Sequence, residues 1–329
     1  MTVRVGILSA AHVHTDAYAG ELARRDEVEL VGVADPDAER GREVASRHGT
    51  EHVGDADALL ERIDGGVICA PNAAHREWVQ RAADADVDVL CEKPLAPTVA
   101  DARAIVDIWE TSEIGVGVAM PLRFSEPARR AAAALSDGSV GRLRAISGTN
   151  RGHMPGGWFV DPELAGGGAV MDHTVHIVDL VSHLTGERVA EVYAEVDTRF
   201  HDIAVDDVNV LSMELTDGTD FLLDGSWSKP DEWHSWGDAT LELLGEEGTV
   251  SVDCTGQSLT HTIEKGSGAG VNTVSYGTDT KAGLIGDFLE AIREDTDPLT
   301  TPDEGLEAVA VVEAAYESAE RSEPVTVEH

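Results

Sequence analysis

Lysine is almost missing from this chain: Lys93, Lys229, Lys265 and Lys281 are the only four in 329 residues. Arginine supplies the rest of 24 basic side chains, which face 62 acidic ones for a formal net charge of −38. So one-sided a surface repels phosphate backbones and argues against nucleic acid as a partner. The acids run through both halves instead of gathering in a tail. That pattern suits a salt-rich cytoplasm, where the Debye length falls to about 3 Å at 1 M and self-repulsion is screened, so a halophilic source is expected. Cysteine is scarce as well: Cys69, Cys91 and Cys254 are odd in number and far apart. They form neither a disulfide framework nor a zinc spacing, and reduced thiols are the simpler reading. No apolar run reaches about 18 residues, which argues against a membrane span. A basic segment followed by a long apolar one, the mark of a secretory signal, is also missing, so a cytoplasmic location is expected.

A further absence is local. The opening run "TVRVGILSA" reads as a buried strand, after which a dinucleotide-binding chain carries G-x-G-x-x-G. Here Ser9, Ala11 and His14 stand at the three glycine positions, with only Gly6 ahead of them. Ser9 and Ala11 are the smallest replacements, and the Ser9 hydroxyl can donate to a phosphate. His14 is the costly one, because it falls where helix and strand approach closely.

What is present restores the argument. The first 120 residues alternate apolar runs with helical patterns, the signature of parallel βαβ units. Strands are read at "VELVGVADP", "GGVICAP", "VDVLCEKP" and "IGVGVAM", and helices at "DAERGREVASRHG", "AAHREWVQRAADA" and after Thr98. Asp35 ends the second strand, where a carboxylate can accept bonds from an adenosine ribose and repel a 2′-phosphate. The rival reading is that Asp35-Pro36-Asp37 only turns the chain and caps the next helix. NAD is favoured over NADP, with Arg40 as the residue that keeps NADP open.

From residue 121 the pattern changes. A short helix, "SEPARRAAAAL", precedes the strand "LRAISGTN", a glycine-rich loop and a helix over 169–184. Strands follow at "VNVLSMEL", "FLLDGSWS", "ATLELLG" and "GTVSVD", then two final helices. The expectation is an α/β chain: a Rossmann-type parallel sheet over 1–120, then an α/β substrate-binding and oligomerisation domain over 121–329 with a large, mostly antiparallel open sheet. Both faces of "VNVLSMEL" hold apolar residues, so helices can cover one side and a second subunit the other, as a homodimer or homotetramer.

Two stretches carry chemistry. Glu92, Lys93 and Pro94 fall at the carboxyl end of a strand, where open α/β sheets bind ligands. In so lysine-poor a chain, Lys93 is not a casual surface choice. In "ELAGGGAVMDHTVHIVDLVSHLTG", Asp172 and His176 stand four apart and share a helix face, with His173 and His183 as a rival grouping. Zinc needs three or four converging ligands and helical i,i+3 histidines give two, so no metal is expected on Asp172, His173 and His176, even with His12 or His14 nearby.

With "APNAAH", "EKP", "RFSEP", "GRL" and "GGGAVMDHTVHIVDL", the chain resembles the glucose–fructose oxidoreductase and inositol dehydrogenase family (Gfo/Idh/MocA) over almost its whole length. The resemblance implies an NAD(P)-dependent dehydrogenase of a sugar, polyol or related small molecule. It implies Lys93 and His176 as the catalytic pair, with Asp172 orienting substrate or base. A neutral imidazole suits the proton step, and an ammonium beside the same oxygen stabilises alkoxide charge. Gly6, Ser9, Ala10, Ala11, His12, Asp35, Pro71, Asn72, His75, Glu92 and Lys93 are then the expected cofactor residues, with His75 approaching the nicotinamide. Asn150, Arg151, His153 and Trp158, with Asp172, His173 and His176, are the expected substrate residues. Two alternatives stay open: a glycoside-cleaving enzyme that uses NAD without net redox change, and a non-catalytic dinucleotide or sugar sensor.

Overall fold

The structure is a computed structural model that describes residues 2–233, 235–256, 258–263, 270–275 and 279–329. Six parallel strands form the first sheet: β1 (Val3–Leu8), β2 (Val28–Ala34), β3 (Glu51–His52), β4 (Gly65–Ile68), β5 (Asp88–Cys91) and β6 (Val116–Val118). Their order is β3-β2-β1-β4-β5-β6, with helices on both faces. The order reverses between β1 and β4, and the crevice beyond the strand ends at that point is where such sheets take ligands. Local chemistry sets the helix ends. Asp37 caps Ala38–His48 by accepting from the Glu39 and Arg40 amides, and Gly49 stops it at φ 70°. Thr98 caps Val99–Thr111 by accepting from the Asp101 amide.

The second sheet has seven strands: β7 (Leu143–Thr149), β8 (Val189–Asp197), β9 (Val208–Leu215), β10 (Asp220–Asp224), β11 (Thr240–Gly245), β12 (Thr249–Asp253) and, last in the chain, β15 (Val325–Thr326). The order β12-β11-β7-β10-β9-β8-β15 is antiparallel except for the β7–β10 pair. A turn at Asp217-Gly218 joins β9 to β10, with Gly218 at φ 82°. A separate hairpin, β13 (Ser258–Ile263) with β14 (Gly270–Ser275), was not read from the pattern, nor was β8.

Helices Ala169–Thr185 and Pro302–Arg321 pack together in the core shared with the strands of this sheet. β9 alternates strictly between buried and exposed residues. Its outer face is therefore bare within one chain, leaving Val210, Leu222 and Leu244 each more than 40% exposed. The helix Thr280–Glu294 returns to the first sheet, seating Leu284, Ile285, Phe288 and Leu289 with Val3, Val5 and Ile7. Among the described residues no helix is long and apolar enough to cross a membrane.

Candidate active site

A cavity of about 470 Å³ opens between the two sheets, and Lys93 and His176 both line it. Lys93 comes from the turn after β5, where its peptide bond to Pro94 is cis. Asp172, His173 and His176 come from the first turns of the helix Ala169–Thr185. The glycine triplet before that helix is a packing demand: a Cβ on Gly168 would stand 2.0 Å from the Asp206 carbonyl. Only glycine allows the close approach that lets the Asp206 carboxylate take the Gly168 and Val170 amides at 2.9 and 2.8 Å, filling the helix start.

Lys93 is buried, and its Nζ donates to Asp172 Oδ1 and, at 3.1 Å, to the Asp172 carbonyl. The indole of Trp227, fully buried, donates to Asp172 Oδ2 at 3.1 Å. His173 donates from Nδ1 to the Gly225 carbonyl at 3.0 Å and sets Nε2 3.3 Å from Asp172 Oδ2. Burial works to raise the Asp172 carboxyl, but the Lys93 ammonium beside it holds it well below the usual carboxylate range. His176 is half-buried, with its Nδ1 enclosed and without a hydrogen-bond partner. Burial first, and then the Lys93 charge, push its pKa well below that of a free imidazole. The result is a neutral base and a fixed ammonium on one wall of one cavity. Asp172 spends both oxygens on Lys93, Trp227 and His173, so it positions the lysine and does not orient His176. The rival His183 lies far along the helix beside a larger hollow of about 640 Å³, with Leu135 and Leu143.

The opposite wall mixes expected residues with unforeseen ones. Asn150 and Arg151 line the cavity, anchored on Asp238: Asn150 Nδ2 reaches its carbonyl at 2.8 Å and Arg151 its carboxylate at 2.9 Å. Lys229 joins the same carboxylate at 2.9 Å. Burial would raise Asp238, but Lys229 and Arg151 hold it down at about 2. Trp236, 54% exposed, and Lys281 also line the cavity and were not anticipated. The available signal was lysine scarcity: Lys93 and Lys281 line this cavity and Lys229 braces it.

Several expectations need correction. His153 bonds the Ser235 carbonyl at 2.8 Å on the rim and does not line the cavity. Trp158 donates to the Ala11 carbonyl at 2.9 Å and stacks on Phe159, pinning the cofactor loop instead of gripping substrate. His75 is fully buried between the carbonyls of Ala70, Pro94 and Leu95, a structural tie with no free face for nicotinamide. Gly6 lies within β1, where a Cβ would meet Ile63 and Leu59 at about 3.0–3.1 Å; it serves packing.

The loop 9–14 explains its missing glycines. Ser9 takes φ 63° itself, its hydroxyl donates to Asp35 Oδ2 at 3.3 Å, and the Ala10 amide donates to the same oxygen. The Ser9 hydroxyl is thus turned onto Asp35 and not toward a phosphate. Ala11 and His12 donate their amides to the Cys69 carbonyl at 3.0 and 2.9 Å. His14 avoids the crowding feared for it by turning its ring to Glu92, Nδ1 to Oε1 at 2.8 Å. Asn72, buried, donates to the Ala165 carbonyl at 2.8 Å and leaves Oδ1 unpartnered, while Pro71 leads into its turn.

A dinucleotide fits this crevice. Beyond β2 a second cavity of about 310 Å³ is lined by Asp35, Pro36, Val53, Trp78 and Arg81, an adenosine-sized hollow. Beyond His12 and His14 lies the Lys93 cavity. The loop runs between them, as a pyrophosphate-spanning segment must. Arg40 pairs with Asp35 through Nη2 at 2.7 Å, and the enclosed carboxylate also accepts the Ser9 hydroxyl and the Ala10 and Asp37 amides, so it is spent on its own loop as well as on a cation.

Comparison with known proteins gives the same frame. The sequence model described as "Oxidoreductase family, NAD-binding Rossmann fold" matches residues 3–120, and "GFO/IDH/MocA C-terminal domain" matches 128–251. Inositol 2-dehydrogenase of Rhizobium meliloti is 26% identical over 343 residues, covering 99% of this chain and 100% of that protein. D-xylose 1-dehydrogenase (NADP(+)) 2 of Haloferax volcanii is 27% identical over 330 residues, covering 98% and 99%. The crystal structure of GenD2 from gentamicin A biosynthesis, in complex with NAD, shares the fold. Its TM-score is 0.91 at 23% identity over 100% of this chain and 97% of that one. With both halves matched in order, the chain belongs to the GFO/IDH/MocA family of oxidoreductases.

Proposed function

We propose that the protein is an NAD-dependent dehydrogenase of a sugar, polyol or related hydroxylated small molecule. The observation that carries this reading is the single cavity holding a fixed ammonium, Lys93, and a neutral imidazole, His176. Oxidation of an alcohol sends a hydride to nicotinamide and a proton to the protein. The nicotinamide, when bound, accepts the hydride; everything else falls to this chain. His176 takes the hydroxyl proton, and Lys93 stabilises the developing alkoxide and is itself held in place by Asp172. Asn150, Arg151 and the exposed face of Trp236 offer the polar and aromatic contacts that a hydroxylated ring needs. Matched relatives named inositol, xylose and glucoside dehydrogenases support this substrate class.

Asp35 favours NAD by repelling a 2′-phosphate, although Arg40 tempers that preference. The bare apolar face at Val210, Leu222 and Leu244 supports self-association through the second sheet. The acidic surface supports operation in a salt-rich cytoplasm. A division of the chain at residue 120 is supported by β6 ending at Val118. The test is a panel of sugars and polyols offered with NAD and NADP in molar KCl. Reduced cofactor is expected with at least one of them and with NAD preferred; none with any would reject the reading.

A further inference from the structure

Glu92 precedes Lys93 in the chain but lives in a different electrostatic situation. It is fully buried, and its Oε2 takes the Lys93 backbone amide at 3.0 Å. The nearest fixed cation, the Lys93 ammonium, is turned to Asp172. What faces Glu92 Oε1 is a pair of imidazoles, His14 Nδ1 at 2.8 Å and His12 Nδ1 at 3.3 Å. His12 Nδ1 also accepts the His14 backbone amide at 3.2 Å, so it holds a lone pair and the ring proton lies on Nε2. That Nε2 is buried and without a partner. Two acceptor atoms, His12 Nδ1 and Glu92 Oε1, therefore stand 3.3 Å apart in a buried site, a costly arrangement.

We propose that His12, His14 and Glu92 bind one divalent transition-metal cation of the zinc class. Their three donor atoms lie within 4.8 Å of one another, and a tetrahedral ion ~2.1 Å from each holds them ~3.4 Å apart, so small ring rotations, with the His12 lone pair turning from the His14 amide to the ion, complete the site. Two imidazoles and one carboxylate are a donor set suited to zinc. The cation supplies the charge that Glu92 lacks and lies between the facing acceptors. Because His12 and His14 also line the Lys93 cavity, the remaining coordination position opens there, where water or a substrate hydroxyl completes the shell. The site joins the cofactor loop to the end of β5. Two of its three ligands, His12 and His14, replaced or flank the fingerprint glycines.

The site stands apart from the dehydrogenase reading and is tested without cofactor or substrate. The full chain is stripped with chelator and titrated with Zn²⁺ by calorimetry and metal analysis. Molar KCl with excess Mg²⁺ occupies the acidic surface during the titration. One equivalent of tightly held zinc is expected. His14→Ala and Glu92→Gln should each weaken it by about 100-fold or more, and His153→Ala should leave it unchanged. Thermal melts confirm that the variants fold; His14 is partly exposed, so its removal is the milder change. No stoichiometric zinc in the parent chain, or equal uptake in His14→Ala and Glu92→Gln, overturns the proposal.

Discussion

Glu92 and Asp172 are two buried carboxylates on opposite sides of one lysine, and they are neutralised in different ways. Asp172 owns the ammonium: Lys93 and the Trp227 indole together occupy its oxygens, and His173 stands against the same group. Glu92 receives one backbone amide and faces imidazoles. A carboxylate with a permanent cation fixes that cation in space, so the Asp172 side of the site is rigid and holds its geometry across the pH range of use. A carboxylate facing imidazoles depends on what else arrives. The chain keeps its fixed pair for positioning and its open trio for the loop that handles cofactor.

This contrast can be broken in order of effect. Lys93→Met and His176→Asn remove the two groups proposed to act on the reacting oxygen. Each is expected to lower kcat by roughly 100- to 10,000-fold, measured by NADH formation, while calorimetry finds NAD binding retained. Asp172→Asn keeps the shape and removes the charge that anchors Lys93. The expectation is a loss in kcat on the order of 100-fold from misplacement of the ammonium, with KM changed less.

The histidines give a pH prediction with a defined sign. His173 and His176 are held below their usual pKa, chiefly by burial. The unfolded chain takes up protons below about pH 6.5 where the folded one does not. Stability from these groups is thus fully present above pH 6.5 and lost as pH falls beneath it, read as a falling Tm. Activity should follow: the acid limb of kcat/KM is expected below pH 6.5, and a limb at or above that value would show that His176 is not the base. The smallest effect concerns the cofactor. Asp35→Ala frees Arg40 and should shift preference toward NADP by about 10- to 100-fold, the worth of one charge-assisted hydrogen bond, read from the Kd of each cofactor.

Much of this was legible in the sequence, because local chemistry wrote it there. Gly49 and Thr98 end and start helices as their residue types demand. The i,i+4 spacing of Asp172 and His176 did place both on the cavity side, with Lys93 beside them. What periodicity could not show was how a side chain spends its bonds. Spacing put Asp172 near His176, but only three-dimensional placement reveals that Lys93 and Trp227 claim its oxygens. Trp227 and Asp238 come from segments far along the chain, so no window of sequence contains the wall they build. His75 and Trp158 were misread for the same reason: each looks reactive in a motif and is tied off by backbone carbonyls in the fold. β8 escapes a period-two reading because its "VAEVYAEVD" alternates less cleanly than β9 and shifts register near Val189.

The most direct test follows one hydrogen. The best substrate of the panel is prepared with deuterium on its carbinol carbon, turned over with NAD, and the reduced cofactor analysed by mass spectrometry. Deuterium recovered in the nicotinamide, in step with a keto product, is what a Lys93–His176 dehydrogenase gives. Consumption of the sugar with no reduced cofactor accumulating, or with the deuterium lost to water, contradicts it.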